Sequence, residues 1–197
     1  ITIFEGFKNK IDAEKIADDL RAEWELNNWA IESLTQLLEE KGFYVVEYDV
    51  ADKKFDGLSG IVNKKSPLII SRSNVSVDRK RLSLAHELGH HLIDIDKEHE
   101  EKAAYVFASA LLIPSRSLIH EIGSSRKNID LNELVLLKEK YGISIQALTK
   151  RCCTLGIISE SLYKQMFIYF RKNYWHVTEP GRCYNNEAPV RFKKMVF

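Results

Sequence analysis

No C-x-x-C pair occurs in this chain: the three cysteines are Cys152, Cys153 and Cys183, two of them adjacent. That spacing excludes the usual beginning of a structural zinc site or a redox motif, and the thiols read as reduced. No apolar run approaches the roughly 20 residues of a membrane span, and the opening "ITIFEGFKNK" lacks the basic-then-apolar order of a secretion signal. A cytoplasmic location without a membrane partner is expected. Charge of one sign is not in excess either. The 29 Lys and Arg face 28 Asp and Glu, a formal net of +1, so composition points neither to nucleic acid nor to a basic ligand. Internal repeats and low-complexity segments are also missing. The first residue is Ile rather than Met, which fits a chain whose N-terminal part, and an upstream domain with it, lies outside this sequence.

What is present is 197 residues, 45% hydrophobic, enough for one core and a small second lobe. From 12 to 41, Ile16, Leu20 and Trp24, then Ile31, Leu34, Leu37 and Leu38, recur at helical spacing and predict one long helix or two short ones stopped at Gly42. The β-branched and aromatic stretch 43–50 predicts a strand. The two apolar runs in 58–73, around Asn-Lys-Lys-Ser-Pro, predict a hairpin. A helix is expected around 78–94, then a charged break, then a helix at 102–114 ended by Pro114. Most of 116–176 reads as helix, with a turn at Tyr141-Gly142-Ile143-Ser144. The tail from 176, polar and rich in turns, is expected to wrap the surface. The order predicts an α+β fold: a small mixed or antiparallel sheet packed on the 78–94 helix, in a core at 1–118, with a helical C-terminal subdomain and irregular tail at 119–197.

The helix at 78–94 carries the chemistry. It reads "LSLAHELGHHLI" at 82–93, an apolar flank with ionisable groups in its middle, and burying such groups costs free energy unless they find partners. His86-Glu87-Leu88-Gly89-His90 is H-E-x-x-H. Residues four apart lie on one helix face about one turn apart, so two imidazoles converge on one ion. Glu87 projects about 100° away, within reach of an attacking water without being forced to ligate. A carboxylate there takes the water's proton and returns it to a leaving amine while the ion polarises the scissile carbonyl, which is the chemistry of a zinc peptidase.

A third protein ligand must come from elsewhere. In the extended H-E-x-x-H-x-x-G-x-x-H arrangement a glycine turn and a third His follow, but those positions hold Ile93 and Asp96. Asp94 shares the His face yet lies about 12 Å along the axis from His86, which suits a capping group or one supporting the ligands better than a ligand. Glu98, His99, Glu100 and Glu101 compete. Glu101 is preferred because it shares a face with Ala104 and Ala108, small residues that let the second helix pack close to the first.

At these residues the chain resembles the ImmA/IrrE-type metallopeptidases. Ser59-Gly60, "DRKRLSLAHELGHHL" (78–92) and "EKAAYVFASALLIP" (101–114) are similar to the family's strand end, motif helix and acidic helix. Stretches 137–167 and 179–192 are similar to the C-terminal region of members with an N-terminal helix-turn-helix domain. The resemblance implies a zincin-like core, zinc on His86, His90 and Glu101, and Glu87 as general base. It also implies limited proteolysis of a protein substrate, often a helix-turn-helix repressor, to release a stress, phage-defence or mobile-element response. Tyr105 stands where the family carries Asn, and Ile113 where it carries Met.

The remaining expectations are smaller. Tyr105 packs as an aromatic or offers a phenol to an oxyanion. Arg79 and Arg81, just before the motif, are solvated or substrate-facing. An extended substrate would add to the edge of the 58–73 hairpin. Manganese could replace zinc in vitro, since two imidazoles and a carboxylate accept either. Two other classes compete: a catalytically weak zinc-binding scaffold that docks a partner, and a DNA-binding regulator using the turn in 132–155, where Lys150 and Arg151 form a thin basic surface. Direct DNA binding is the weaker of these, and a homodimer is compatible with the sequence.

Overall fold

The computed structural model describes residues 4–5, 12–49, 51–52, 55–183 and 186–191. A two-residue strand β1 (Phe4–Glu5) precedes two short helices, α1 (Ala13–Glu23) and α2 (Leu34–Glu40). The helical stretch divides because Glu25 and Asn27 take positive φ, 59° and 49°, between them. Each helix has a side-chain cap: Asp12 accepts from Lys15 N–H and Ser33 from Gln36 N–H, both at 3.2 Å.

Three strands follow, β2 (Tyr44–Tyr48), β3 (Gly57–Val62) and β4 (Ser66–Arg72), in the order β2-β4-β3. The hairpin β3/β4 is antiparallel and β2 runs parallel to β4, so the sheet is mixed and the fold is α+β. Two long helices, α3 (Val77–Leu92) and α4 (Lys97–Leu112), pack against each other beneath it, with a two-residue strand β5 (Ile93–Asp94) between them paired in parallel to β1. They approach tightly at Gly89, where a Cβ would meet Phe107 Cδ1 at 3.1 Å and Ala104 Cα at 3.2 Å. Small residues on both helices permit that separation.

Two expected boundaries move. The motif helix stops at Leu92, because Ile93 is extended and joins β1. The charged run expected as a break is instead the first turn and a half of α4. Asp96 is its N-cap and Glu98 and Glu100 lie in the first turn, where carboxylates complement exposed N–H groups. Ile113 then caps α4, and Pro114 opens α5 (Ser115–Ile122).

The helices α6 (Leu131–Tyr141), α7 (Ile145–Thr154) and α8 (Glu160–Lys172) follow. Gly142, left-handed at φ 63°, turns α6 into α7. The buried apolar cluster runs from Leu20 and Phe43 through Leu84, Leu88 and Phe107 to Leu148 and Phe170. Among the described residues no single helix is long and apolar enough to cross a membrane.

The tail does more than wrap the surface. Glu187 is buried, accepts from the N–H groups of Leu34 and Thr35 at 3.0 and 2.7 Å, and so caps α2 from 153 residues away. Glu179 caps α7 in the same way through Ile145 and Gln146, while Glu39 accepts from the Val190 and Arg191 N–H groups. Sequence pattern misses these because a polar segment with few apolar residues reads as exposed, whereas helix N-termini offer N–H groups that a remote carboxylate satisfies.

Candidate metal centre

His86 and His90 sit one turn apart on α3 and Glu101 projects from the second turn of α4, so the close α3/α4 packing carries the carboxylate to the imidazoles. One donor atom from each residue lies within 4.8 Å of the others. The Nε2 atoms of His86 and His90 are 3.0 Å apart, and Glu101 places one oxygen 3.3 Å from His86 Nε2 and the other 3.2 Å from His90 Nε2. Around a tetrahedral ion with N and O ligands at about 2.0–2.1 Å, neighbouring ligand atoms stand about 3.3 Å apart. The Nε2 pair and the contact of each ring with a Glu101 oxygen fall near that spacing, the two rings meeting different oxygens of the carboxylate, and the chemistry of the donors suits zinc.

The electrostatics agree. Burial, then the neighbouring His90, pushes the His86 imidazole below its ordinary pKa, with Glu101 acting in the opposite sense, which favours the neutral ring that carries a lone pair. His90 Nδ1 lies 2.9 Å from Glu100 Oε1, a contact that orients the ring and leaves Nε2 facing the centre. His86 Nδ1 is buried and has no hydrogen-bond partner among the described residues.

Glu87 reaches from α3 to Ser59 in the first half of strand β3. Burial raises its carboxyl pKa, while hydrogen bonds from the Ser59 side chain and backbone work in the opposite direction. Gly57 makes room for it: a Cβ there would lie 2.9 Å from Glu87 Cγ and 3.2 Å from the Ile70 carbonyl oxygen. The cleft holding these groups has a volume of about 720 Å³, and Arg79, Ser83 and Tyr105 also line it. The Tyr105 ring packs on His86 with centroids 4.2 Å apart, and burial followed by Asp56 and Glu101 raises its pKa, so its phenol stays protonated. Arg79 pairs with Asp56 at 2.6 Å at the cleft's rim.

Two expected site residues lie elsewhere. Asp94 falls beyond the end of α3, exposed in β5, so it does not continue the His face and does not line the cleft. Arg81 is fully buried, neither solvated nor substrate-facing. It donates to the carbonyls of Gly142 at 3.0 Å and Ile31 at 2.8 Å and pairs with Glu187. Arg151, expected on a basic surface, is also buried, paired with Glu14 and donating to the Ile113 carbonyl at 2.6 Å. Only Lys150 of that surface is exposed.

Two contributors escape the sequence reading. The spacing offers Glu100 only as a competing ligand, although an acidic run after a capping Asp signals a helix start. Gly57 carries no sequence signal, since its φ is not in the left-handed region and its need arises only from the approach of α3.

Residues 38–152, more than half of the chain, match the family Peptidase_M78, described as the IrrE N-terminal-like domain. Among solved structures, a Mycobacterium tuberculosis transcriptional regulator is similar at 15% identity with a TM-score of 0.49; the match covers 73% of this chain and 47% of that one, so the chain spans about half of its length. No curated protein matches the chain.

Proposed function

The chain belongs to the Peptidase_M78 family of IrrE N-terminal-like domains, and on that footing we propose that it is a zinc-dependent endopeptidase performing limited proteolysis of a protein substrate. The observation that carries this reading is the convergence of the His86, His90 and Glu101 side chains, with paired contacts of 3.0 to 3.3 Å, in a cleft that the Glu87 carboxylate also lines. In this reading His86, His90 and Glu101 hold the ion. Zinc, when bound, supplies Lewis acidity toward water and the scissile carbonyl; manganese would serve in vitro.

The chain's own groups do the rest. Glu87, raised in pKa by burial and oriented by Ser59, takes a proton from the attacking water and hands it to the leaving amine. Glu100 holds the His90 ring. Strand β3 bonds to β4 on one side and carries no further strand among the described residues on the other, and its Gly57, Leu58 and Ser59 line the cleft. An extended substrate adds there as a strand. The division into a core at 1–118 and a helical subdomain at 119–197 belongs to the same reading, as do a cytoplasmic location for the chain and a helix-turn-helix repressor as substrate. The buried Arg151 disfavours DNA binding by α6 and α7.

Zinc content per chain tests the centre. Wild type is expected to hold close to one zinc and Glu101→Ala to lose most of it. A wild type that takes up no metal from supplied zinc would overturn the centre. Glu87→Gln is expected to keep its zinc and lose about 10²- to 10⁴-fold in hydrolysis; undiminished cleavage would remove Glu87 from its role.

A further inference from the structure

Next to the centre, on the side away from β3, a second depression of about 470 Å³ runs between α4 and α7. Its walls are two matched stripes: Lys102, Tyr105, Val106 and Ser109 on α4 and Ala147, Lys150, Arg151 and Thr154 on α7, each at i, i+3, i+4, i+7. Leu82 of α3 closes the end nearest the centre. Leu82 and Tyr105 line both this groove and the cleft that holds His86 and Glu101, so the two adjoin. Leu82 lies four residues before His86 and Tyr105 four residues after Glu101, which sets the groove about one helical turn from the centre.

The lining is apolar where it is deep and cationic where it is open. Leu82, Val106 and Ala147 are half-buried, while Lys102 and Lys150 are exposed on opposite banks. Neither lysine is in an ion pair among the described residues; Lys150 lies over the Tyr163 ring at 5.1 Å. The floor adds no free charge, because the Arg151 guanidinium is neutralised by Glu14.

The geometry points to a specificity subsite: the groove takes a large apolar side chain of the polypeptide substrate, one or two residues from the scissile bond, and Lys102 and Lys150 attract an acidic residue beside it. The occupant is identified through the peptidase reading, on which this assignment rests. The volume falls within the range of ligand pockets, so a large apolar side chain enters with room to spare. An apolar groove flanked by ammonium groups repels a basic neighbour and accepts an acidic one, so charge adds discrimination to burial.

Binding and cleavage separate this subsite from the activity it serves. The zinc-loaded Glu87→Gln chain is titrated, by fluorescence anisotropy, with labelled decapeptides carrying Leu, Phe or Ala at one position and Asp or Lys beside it. Leu or Phe next to Asp is expected to bind about tenfold tighter or more than Ala, the size expected for burying one such side chain. Ala147→Trp, filling the groove, should remove that preference. The double variant Lys102→Glu, Lys150→Glu, altered only at exposed positions and so expected to fold, should exchange the preference for Asp with one for Lys. Indifference to Leu→Ala, or an unchanged charge preference in the double variant, overturns the subsite. Wild-type cleavage of denatured casein is measured separately. Cleavage without the peptide preference leaves the peptidase standing and removes the subsite, whereas the preference without any cleavage supports the groove and removes the peptidase.

Discussion

One helix, α3, carries charge in two ways. In its first half Asp78 and Arg81 are buried and fully engaged: Asp78 pairs with Lys138 at 3.2 Å, and Arg81 pairs with Glu187 and donates to four backbone carbonyls. In its second half His86, Glu87 and His90 line an open cleft; Glu100 and Ser59 hold His90 and Glu87 from behind, while the His86 and His90 Nε2 atoms converge on one another. A buried charge whose partners lie within the protein organises the fold. Donors held together with their lone pairs facing a cleft are set to receive something else. The buried Arg81, closed in by protein partners, and the half-buried His90, facing the cleft nine residues on, therefore separate architecture from chemistry.

The largest effect should come from the first half. Arg81→Met leaves the Glu187 carboxylate buried without its cation and takes the guanidinium donor away from four carbonyls. Chemical denaturation should show a loss of about 3–5 kcal/mol, the size seen when one member of a buried pair is removed. A loss below about 1 kcal/mol would mean that Arg81 is not the tie between tail and motif helix.

The second half should respond in function more than in stability. Glu100→Ala removes the group that orients His90 and should weaken zinc binding about 10- to 100-fold in a chelator competition, with little change in melting temperature. Unchanged affinity would show that the helix alone orients the ring. A smaller effect is expected for Gly57→Ala. In a strand Ala is ordinarily the better residue, by roughly 0.5–1 kcal/mol, but here the Cβ meets Glu87 Cγ at 2.9 Å, so hydrolysis should fall while zinc content holds. Equal losses in both would place Gly57 in the fold and not beside the base.

The smallest is a silence. Cys152, fully buried on α7, has its thiol pushed up to about 12, chiefly by burial, so it stays protonated and should not react with iodoacetamide at pH 8 until denaturant is added. Labelling of Cys152 in the native chain would show that α7 opens.

Periodicity and composition alone predicted the helix carrying H-E-x-x-H, the hairpin before it, the Pro114 stop and the preference for Glu101. These are local: a helical repeat places residues i and i+4 together whatever surrounds them, and small residues mark a close helix crossing. Tail carboxylates that cap α2 and α7, the arginines drawn into the core at 81 and 151, the glycine that admits Glu87, and Glu100 behind His90 were decided by tertiary structure. Each depends on a partner brought near by folding, across 153 residues for Glu187 and Leu34, and a single stretch of sequence carries no sign of which distant group will satisfy it.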